Sequence, residues 1–293
     1  MFAGVFTALI TPFRDNRIDA DALRRMVEFQ IANGIGGIVP CGTTGESATL
    51  SHEEHKEVLR LCVETVAGRV PVIAGAGSNS TSETIELTRF AKTIGADAAL
   101  LITPYYNKPG QEGLFQHYKA VAESVELPLV LYNVPGRTSV DLLPATLARL
   151  APLPNVVAVK EATGSMERAS TIRRLCGDAL TLLSGDDATF LPFLAVGGHG
   201  VISVSSNVAP ARMVALWRAW RQGDFPRALQ AHEELLDLNQ QLFCETNPIP
   251  IKGVAAMLGF CQPEIRLPLT RLGEENQERL RQIIGRLGLQ PAI

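Results

Sequence analysis

Val156-Val157-Ala158-Val159-Lys160-Glu161 decides how this chain is read. Four apolar residues, three of them β-branched valines, predict a buried strand. A parallel strand covered on both faces is a near-continuous apolar run, so a lysine at its end is out of place unless it has a task. Burial disfavours the charged ammonium and lowers its pKa. An amine that is neutral part of the time attacks carbonyl carbons and forms a Schiff base. The alternative is a lysine that snorkels from the strand end or pairs with Glu161.

Outward from this run, residues 1–223 alternate short apolar segments with amphipathic ones. Strands are expected over 5–10, 37–40, 70–74, 98–102, 129–133, 156–161, 180–184 and 200–204. Helices are expected over 21–33, 51–67, 80–94, 111–124, 144–150, 166–176, 188–196 and 210–222. The first carries Leu23, Met26, Val27 and Ile31 at helical spacing. Ser51-His52-Glu53-Glu54 and Ser80-Thr81-Ser82-Glu83 read as capping boxes, and Pro144 suits a first turn. Strands alternating with helices imply right-handed crossovers and parallel pairing. Eight such units predict an α/β chain folded as a (β/α)8 TIM barrel. An open doubly wound sheet is the alternative, but no G-x-G-x-x-G turn follows the first strand. Gly75-Ala76-Gly77 lacks the third glycine and reads as a turn. Residues 224–293 hold no strand pattern. Three helical stretches, 226–243, 250–258 and 274–286, are broken apart by Asn247-Pro248-Ile249-Pro250 and Leu267-Pro268. They predict a C-terminal helical appendage packed on the barrel.

The composition narrows the function. With 27 basic and 30 acidic residues, a net charge of −3 and no basic stripe, the chain lacks the footprint of nucleic-acid or membrane-surface binding. No apolar stretch approaches the roughly 20 residues that span a bilayer. Met1-Phe2-Ala3-Gly4-Val5 lacks the positive region that opens a signal peptide. Cysteines 41, 62, 176, 244 and 261 are odd in number and show no C-x-x-C spacing, which predicts reduced thiols in a cytoplasm. The histidines show no metal-ligand spacing, so no metal is expected; His52 and His55 have no cysteine companion.

In a parallel barrel the active site forms at the C-terminal strand ends. Those positions read Gly42-Thr43-Thr44-Gly45-Glu46, Thr103-Pro104-Tyr105-Tyr106, Tyr132-Asn133 with Pro135-Gly136-Arg137-Thr138, Lys160-Glu161, Ser184-Gly185-Asp186-Asp187 and Ile202-Ser203. Each has a plainer reading. The tyrosines could pack with wet hydroxyls, Gly-Thr-Thr-Gly could be a tight turn as readily as an anion nest, and Arg137 could be a surface residue. Asp186-Asp187 reads as a helix start and Cys41 as small packing. Convergence of a lysine, two tyrosines, paired threonines and an arginine at one end favours chemistry. A neutral Lys160 would condense with a 2-oxo acid. Thr44 and the turn amides would hold its carboxylate. Tyr132, Thr43 and Tyr106 would relay protons, and Arg137 would clamp a second carboxylate.

Gly42-Thr43-Thr44-Gly45-Glu46-Ser47, Tyr105-Tyr106-Asn107-Lys108-Pro109, Tyr132-Asn133-Val134-Pro135-Gly136-Arg137-Thr138 and Val159-Lys160-Glu161-Ala162 together resemble the dihydrodipicolinate synthase family. The resemblance runs from Phe2 to Leu289 and includes Asn247-Pro248-Ile249-Pro250-Ile251-Lys252 and Arg266-Leu267-Pro268. It implies a homotetramer, a dimer of dimers, that joins pyruvate to L-aspartate 4-semialdehyde in the diaminopimelate route to lysine. No cofactor is implied beyond the covalent Schiff base. Carried over, Lys160 forms that base, Tyr132 and Thr43 relay protons, and Tyr106 is contributed from the neighbouring subunit. Thr44 matches a pyruvate-carboxylate ligand, Arg137 the semialdehyde ligand, and Gly185 and Ile202 backbone positions lining the pocket. In lysine-inhibited members, Ser47, Ala48, His52, His55, Asn79, Glu83 and Tyr105 match a pocket for L-lysine at the dimer interface. Pro40-Cys41 and Ala76 depart from the pattern without touching the catalytic set. N-acetylneuraminate lyase and 2-keto-3-deoxygluconate aldolase share the lysine and tyrosine but lack the arginine. A non-catalytic binder of 2-oxo acids would be expected to have lost Lys160, Tyr132 or Thr43.

Overall fold

Val156–Glu161 forms a strand with a parallel partner on each side. The structure is a computed structural model and describes residues 2–290; residue 1, where the expected barrel region and N-terminal reading begin, and residues 291–293, where the helical region ends, lie outside the described residues. Eight strands make one sheet: β1 Gly4–Ala8, β2 Gly37–Val39, β3 Ile73–Gly75, β4 Ala98–Ile102, β5 Leu129–Asn133, β6 Val156–Glu161, β7 Thr181–Ser184 and β8 Gly200–Ser203. Their order is β2-β1-β8-β7-β6-β5-β4-β3. Helices alternate with them, and the eight parallel strands form a nearly closed (β/α)8 barrel. A short antiparallel hairpin, Phe13–Arg14 with Arg17–Ile18, is added after β1.

Local chemistry moved several expected boundaries. β3 begins at Ile73, not at residue 70. Pro71 has no N–H to donate, and the Val72 N–H is taken by the Asp97 side chain at 2.8 Å. The helix expected over 188–196 is reduced to Phe190–Ala195. Ser51 and Glu54 make a full capping box on the helix His52–Val66. At Ser80 only half of the box forms. Its side chain caps the Glu83 N–H, but the Glu83 carboxylate accepts from the Ser78 hydroxyl, which in turn accepts the Ser80 N–H at 3.1 Å. Ser78 has intercepted the reciprocal bond.

Two compact units can be described, each by itself. One comprises Pro71–Ile202 with the residues up to Gly4. Its strands are buried on both faces: every residue of β5 is buried, and every residue of β6 except Val157. The other comprises Val5–Val70 with the described residues from Ser203 on. Here buried polar pins replace part of the apolar packing. Asn207 accepts from the Ile10 N–H and donates to the Ala8 carbonyl, and Gln30 accepts from Thr7 and donates to the Ser206 carbonyl. These bonds satisfy backbone groups that burial would otherwise leave unpaired. Helix Phe225–Gln241 packs on Pro210–Arg221 and on Glu274–Leu287, which also meets Ile249–Met257. Among the described residues no helix is long and apolar enough to cross a membrane, and no group of His, Cys, Asp and Glu could hold a metal.

Gly200 opens β8 where the chain passes the Gly4 backbone so closely that a methyl group would collide with the Gly4 carbonyl oxygen. Two backbones cannot both yield there. Gly200→Ala is therefore expected to cost about 1–3 kcal/mol, typical of overpacking, and to lower the thermal midpoint by several degrees in scanning fluorimetry.

Candidate active site

Lys160 is 6% exposed and Tyr132, its register partner on β5, is equally buried. Residues paired across parallel strands project to the same face. The Lys160 Nζ accordingly lies 4.2 Å from the centre of the Tyr132 ring. Lys160 does not use Glu161 as its counter-ion: that carboxylate is taken by Arg168, whose Nε lies 2.9 Å away. Gly185, just beyond β7, packs on the lysine stem. A methyl group there would sit 3.0 Å from the Lys160 Cε and 2.5 Å from the Ala162 Cβ. A side chain there would collide with Ala162 and crowd the lysine stem, so the position is held by a bare Cα. Ile202, also expected to line the pocket, is buried in β8.

Arg137 lies on a helical turn, Pro135–Thr138, that sequence periodicity did not signal. Pro135 fixes φ for its first residue. Thr138 anchors its end by accepting from the Thr103 hydroxyl at 3.1 Å and donating to the Val140 carbonyl at 2.9 Å. The arginine side chain is exposed. Tyr106 follows β4 with φ of 70° and is 89% exposed. A bulky residue in the left-handed region is uncommon, and here it presents the ring to the outside. Asn107 ties this loop to Asn79 through a 2.8 Å bond to its carbonyl, which brings Tyr105 and Asn79 onto neighbouring segments beside Glu83.

Thr43, Thr44, Ser47, Ala48, His52 and His55 belong to the other unit. Thr43–Gly45 is a single 3-10 turn, and Glu46 at its end has φ of 54°. The Thr44 hydroxyl accepts from the Asn247 Nδ2 at 3.0 Å. Thr11 donates to the Gly45 carbonyl at 2.7 Å. Ser47 is half-buried, Ala48 and His52 are exposed, and His55 is buried in the first turns of His52–Val66. Cys41 is buried, and burial, with Cys62 nearby, pushes its thiol well above the usual range. A thiol so held is no nucleophile, in keeping with the packing role expected of it.

Sequence reasoning overlooked one element of this turn. The Glu46 carboxylate, almost wholly buried, pairs with the Lys252 Nζ and accepts the Arg266 N–H at 3.1 Å. Lys252 lies 4.0 Å over the Phe13 ring, and the Arg266 guanidinium stacks on the same ring at 4.2 Å. Arg266 also forks onto Glu54 at 2.6 and 2.7 Å. Burial pulls the Lys252 ammonium below the ordinary lysine value against the opposing charge of Glu46. The signal is present in the chain: Lys252 is a lone charge within Ile249–Met257, an otherwise apolar helix, as Lys160 is a charge set against the apolar run that precedes it in β6.

A buried amine beside a tyrosine ring at the strand ends of a parallel barrel is the arrangement that imine chemistry requires. The dihydrodipicolinate synthetase family model matches residues 1–287, and the chain belongs to that family. It is 59% identical over 289 residues to a 4-hydroxy-tetrahydrodipicolinate synthase of Magnetococcus marinus, covering 99% of both chains. The dihydrodipicolinate synthase of Acinetobacter baumannii, solved with pyruvate, superposes with a TM-score of 0.97 at 46% identity, covering 99% of this chain and 100% of that one. The enzyme of Cyanidioschyzon merolae, solved with lysine bound, gives 0.95 at 40% identity over 98% and 99%.

Removing Lys252 would leave the Glu46 carboxylate buried without its cation. Lys252→Met is expected to cost about 3–5 kcal/mol in equilibrium denaturation, the range for breaking a buried pair. Adding Glu46→Gln should recover part of that loss, since the orphaned charge is then gone.

Proposed function

We propose that this chain condenses pyruvate with L-aspartate 4-semialdehyde to give 4-hydroxy-tetrahydrodipicolinate, through a Schiff base on Lys160. The observation that carries the reading is the buried Lys160 amine poised over Tyr132 in a chain of this family. The amine adds to the pyruvate carbonyl carbon, and loss of water from the carbinolamine leaves an imine. Protonated, the imine is an electron sink, so a proton leaves the pyruvate methyl group and an enamine forms. The enamine carbon attacks the aldehyde of the second substrate, whose oxygen takes up a proton; the amino group of that substrate then displaces the Lys160 amine at the imine carbon, closing the ring and freeing the enzyme. The sink is covalent and internal, so the chemistry needs neither metal nor organic cofactor. Water loss and enamine formation each require a proton shuttle, a role assigned to Tyr132, Thr43 and Tyr106. Thr44, pinned by Asn247, and the turn amides hold the pyruvate carboxylate. Gly185 and Ile202 line the pocket.

Arg137 takes the carboxylate of the semialdehyde, which separates this reading from the sugar-acid aldolases. The exposed Tyr106 ring, held out by a left-handed backbone, supports its contribution to a neighbouring subunit in a homotetramer. The barrel region 1–223 carries the chemistry, with 224–293 as its appendage. Five free cysteines suit a cytoplasmic setting. Ser47, Ala48, His52, His55, Asn79, Glu83 and Tyr105 are assigned to L-lysine, which a relative of this chain binds. Glu83 would meet the ligand's α-ammonium, with Asn79 and Tyr105 at its carboxylate.

Pyruvate and borohydride are expected to leave one reduced adduct per chain, on Lys160 by peptide mass spectrometry; a label on Lys108 or Lys252 instead would refute the mechanism. Lys160→Arg should abolish turnover, because a guanidinium stays protonated. Calorimetric titration with L-lysine should show binding in the wild type and its loss in Glu83→Ala. No heat at millimolar lysine would remove the regulatory assignment and leave the catalytic one standing.

A further inference from the structure

Next to each member of the reacting pair sits a buried polar residue of the opposite strand face. Asn133 follows Tyr132 and Glu161 follows Lys160, and the two are partners in the same parallel register. Side chains alternate along a strand, so this second pair faces away from the first. Both are buried, at 0% and 2% exposure. The Asn133 Nδ2 donates to the Glu161 Oε2 and to the Asp141 Oδ1, each at 3.1 Å. Its Oδ1 accepts the Leu142 N–H at 2.9 Å. The other Glu161 oxygen accepts the Thr163 N–H at 2.8 Å.

Arg168, on the helix Met166–Cys176 that follows β6, closes the network. Its Nε donates to Glu161 at 2.9 Å, its Nη1 and Nη2 to Asp141 at 3.1 and 2.7 Å, and Nη2 also to the Leu142 carbonyl at 2.7 Å. One planar guanidinium thus joins two carboxylates and a backbone carbonyl, a pattern the single ammonium of a lysine cannot reproduce. The segment between Asn133 and Asp141 is the one that carries Arg137. The network therefore holds both ends of the Arg137 segment and, through Glu161, the strand end that carries Lys160.

We propose that Arg168 is a positioning residue that locks the Arg137 segment to the strand end bearing Lys160, so that the second substrate is presented to the pyruvate enamine. This rests on the functional reading above. Arg168 touches neither substrate. Its effect is geometric, and displacements of about 1 Å at a reacting centre cost up to about a hundredfold in rate.

The test is steady-state kinetics of Arg168→Met and Arg168→Lys, with rates expressed per borohydride-trappable pyruvate site. Arg168→Met should keep one trapped pyruvate per chain and a pyruvate KM within about threefold of wild type. Its semialdehyde KM should rise and its kcat fall by about tenfold or more. Arg168→Lys should fall between. Arg137→Ala combined with Arg168→Met should be no worse in semialdehyde KM than Arg137→Ala alone, because one residue acts through the other. If Arg168→Met does not fold, Asp141→Asn, which weakens the same fork from the loop side, should shift the semialdehyde KM in the same direction. Wild-type semialdehyde KM and per-site kcat in these variants, or additive effects with Arg137→Ala, would overturn the inference alone. Failure of the wild type to trap pyruvate on Lys160 would overturn the functional reading and this inference with it.

Discussion

A basic nitrogen held out of water at the end of a parallel strand is the constraint that the rest of this structure serves. Lys160 has a parallel strand on each side and is only 6% exposed, so its amine and four-carbon stem are largely held out of water. A buried ammonium is costly unless paired, and the one carboxylate adjacent in sequence is engaged by Arg168. What the amine meets instead is the face of the Tyr132 ring, a weak partner that leaves it available to a carbonyl carbon. The absent side chain at Gly185 belongs to the same arrangement, because a methyl group there would overlap Ala162 and press on the lysine stem.

Buried charge recurs around this constraint, and each time it is satisfied by several donors at once. Glu161 receives Asn133, Thr163 and Arg168; Glu46 receives Lys252 and the Arg266 backbone. Such pairs add little stability compared with apolar packing of equal volume, but removing one partner is expensive. Their value here is geometric. The Glu46 pair ends the turn that carries Thr43 and Thr44, and the Glu161 network ends the strand that carries Lys160. Both units therefore fix a candidate catalytic segment by the same physical device, a carboxylate with no freedom to choose other partners.

The eight-unit alternation was legible in the chain because apolar period and helix length are local properties. So was the anomaly at Lys160, since a charge inside a valine run conflicts with its surroundings without any knowledge of the fold. Lys252 in Ile249–Met257 is a second such anomaly, whose partner Glu46 lies too far away in sequence to be read from it. A side chain competing for a backbone N–H moved the start of β3, as Asp97 does at Val72, and a competing hydroxyl removed half of an expected capping box, as Ser78 does at Glu83. The turn that bears Arg137 left no periodic trace, because four residues are too few to show one.

By itself, then, the sequence determined the eight strand–helix alternations, the parallel class of the sheet they form, and the residue types available for imine chemistry. Only the tertiary structure decided which partner each charged group takes. Glu161 lies beside Lys160 in the chain yet pairs with Arg168, and Glu46 reaches Lys252 more than two hundred residues away. For Glu161 the reason is alternation: neighbours along a strand face opposite ways, so it turns away from Lys160 toward the helix that carries Arg168; for Glu46 it is the packing of a distant helix against the turn. Partner choice for a buried charge depends on which groups the fold places within about 3 Å, a distance no local pattern encodes.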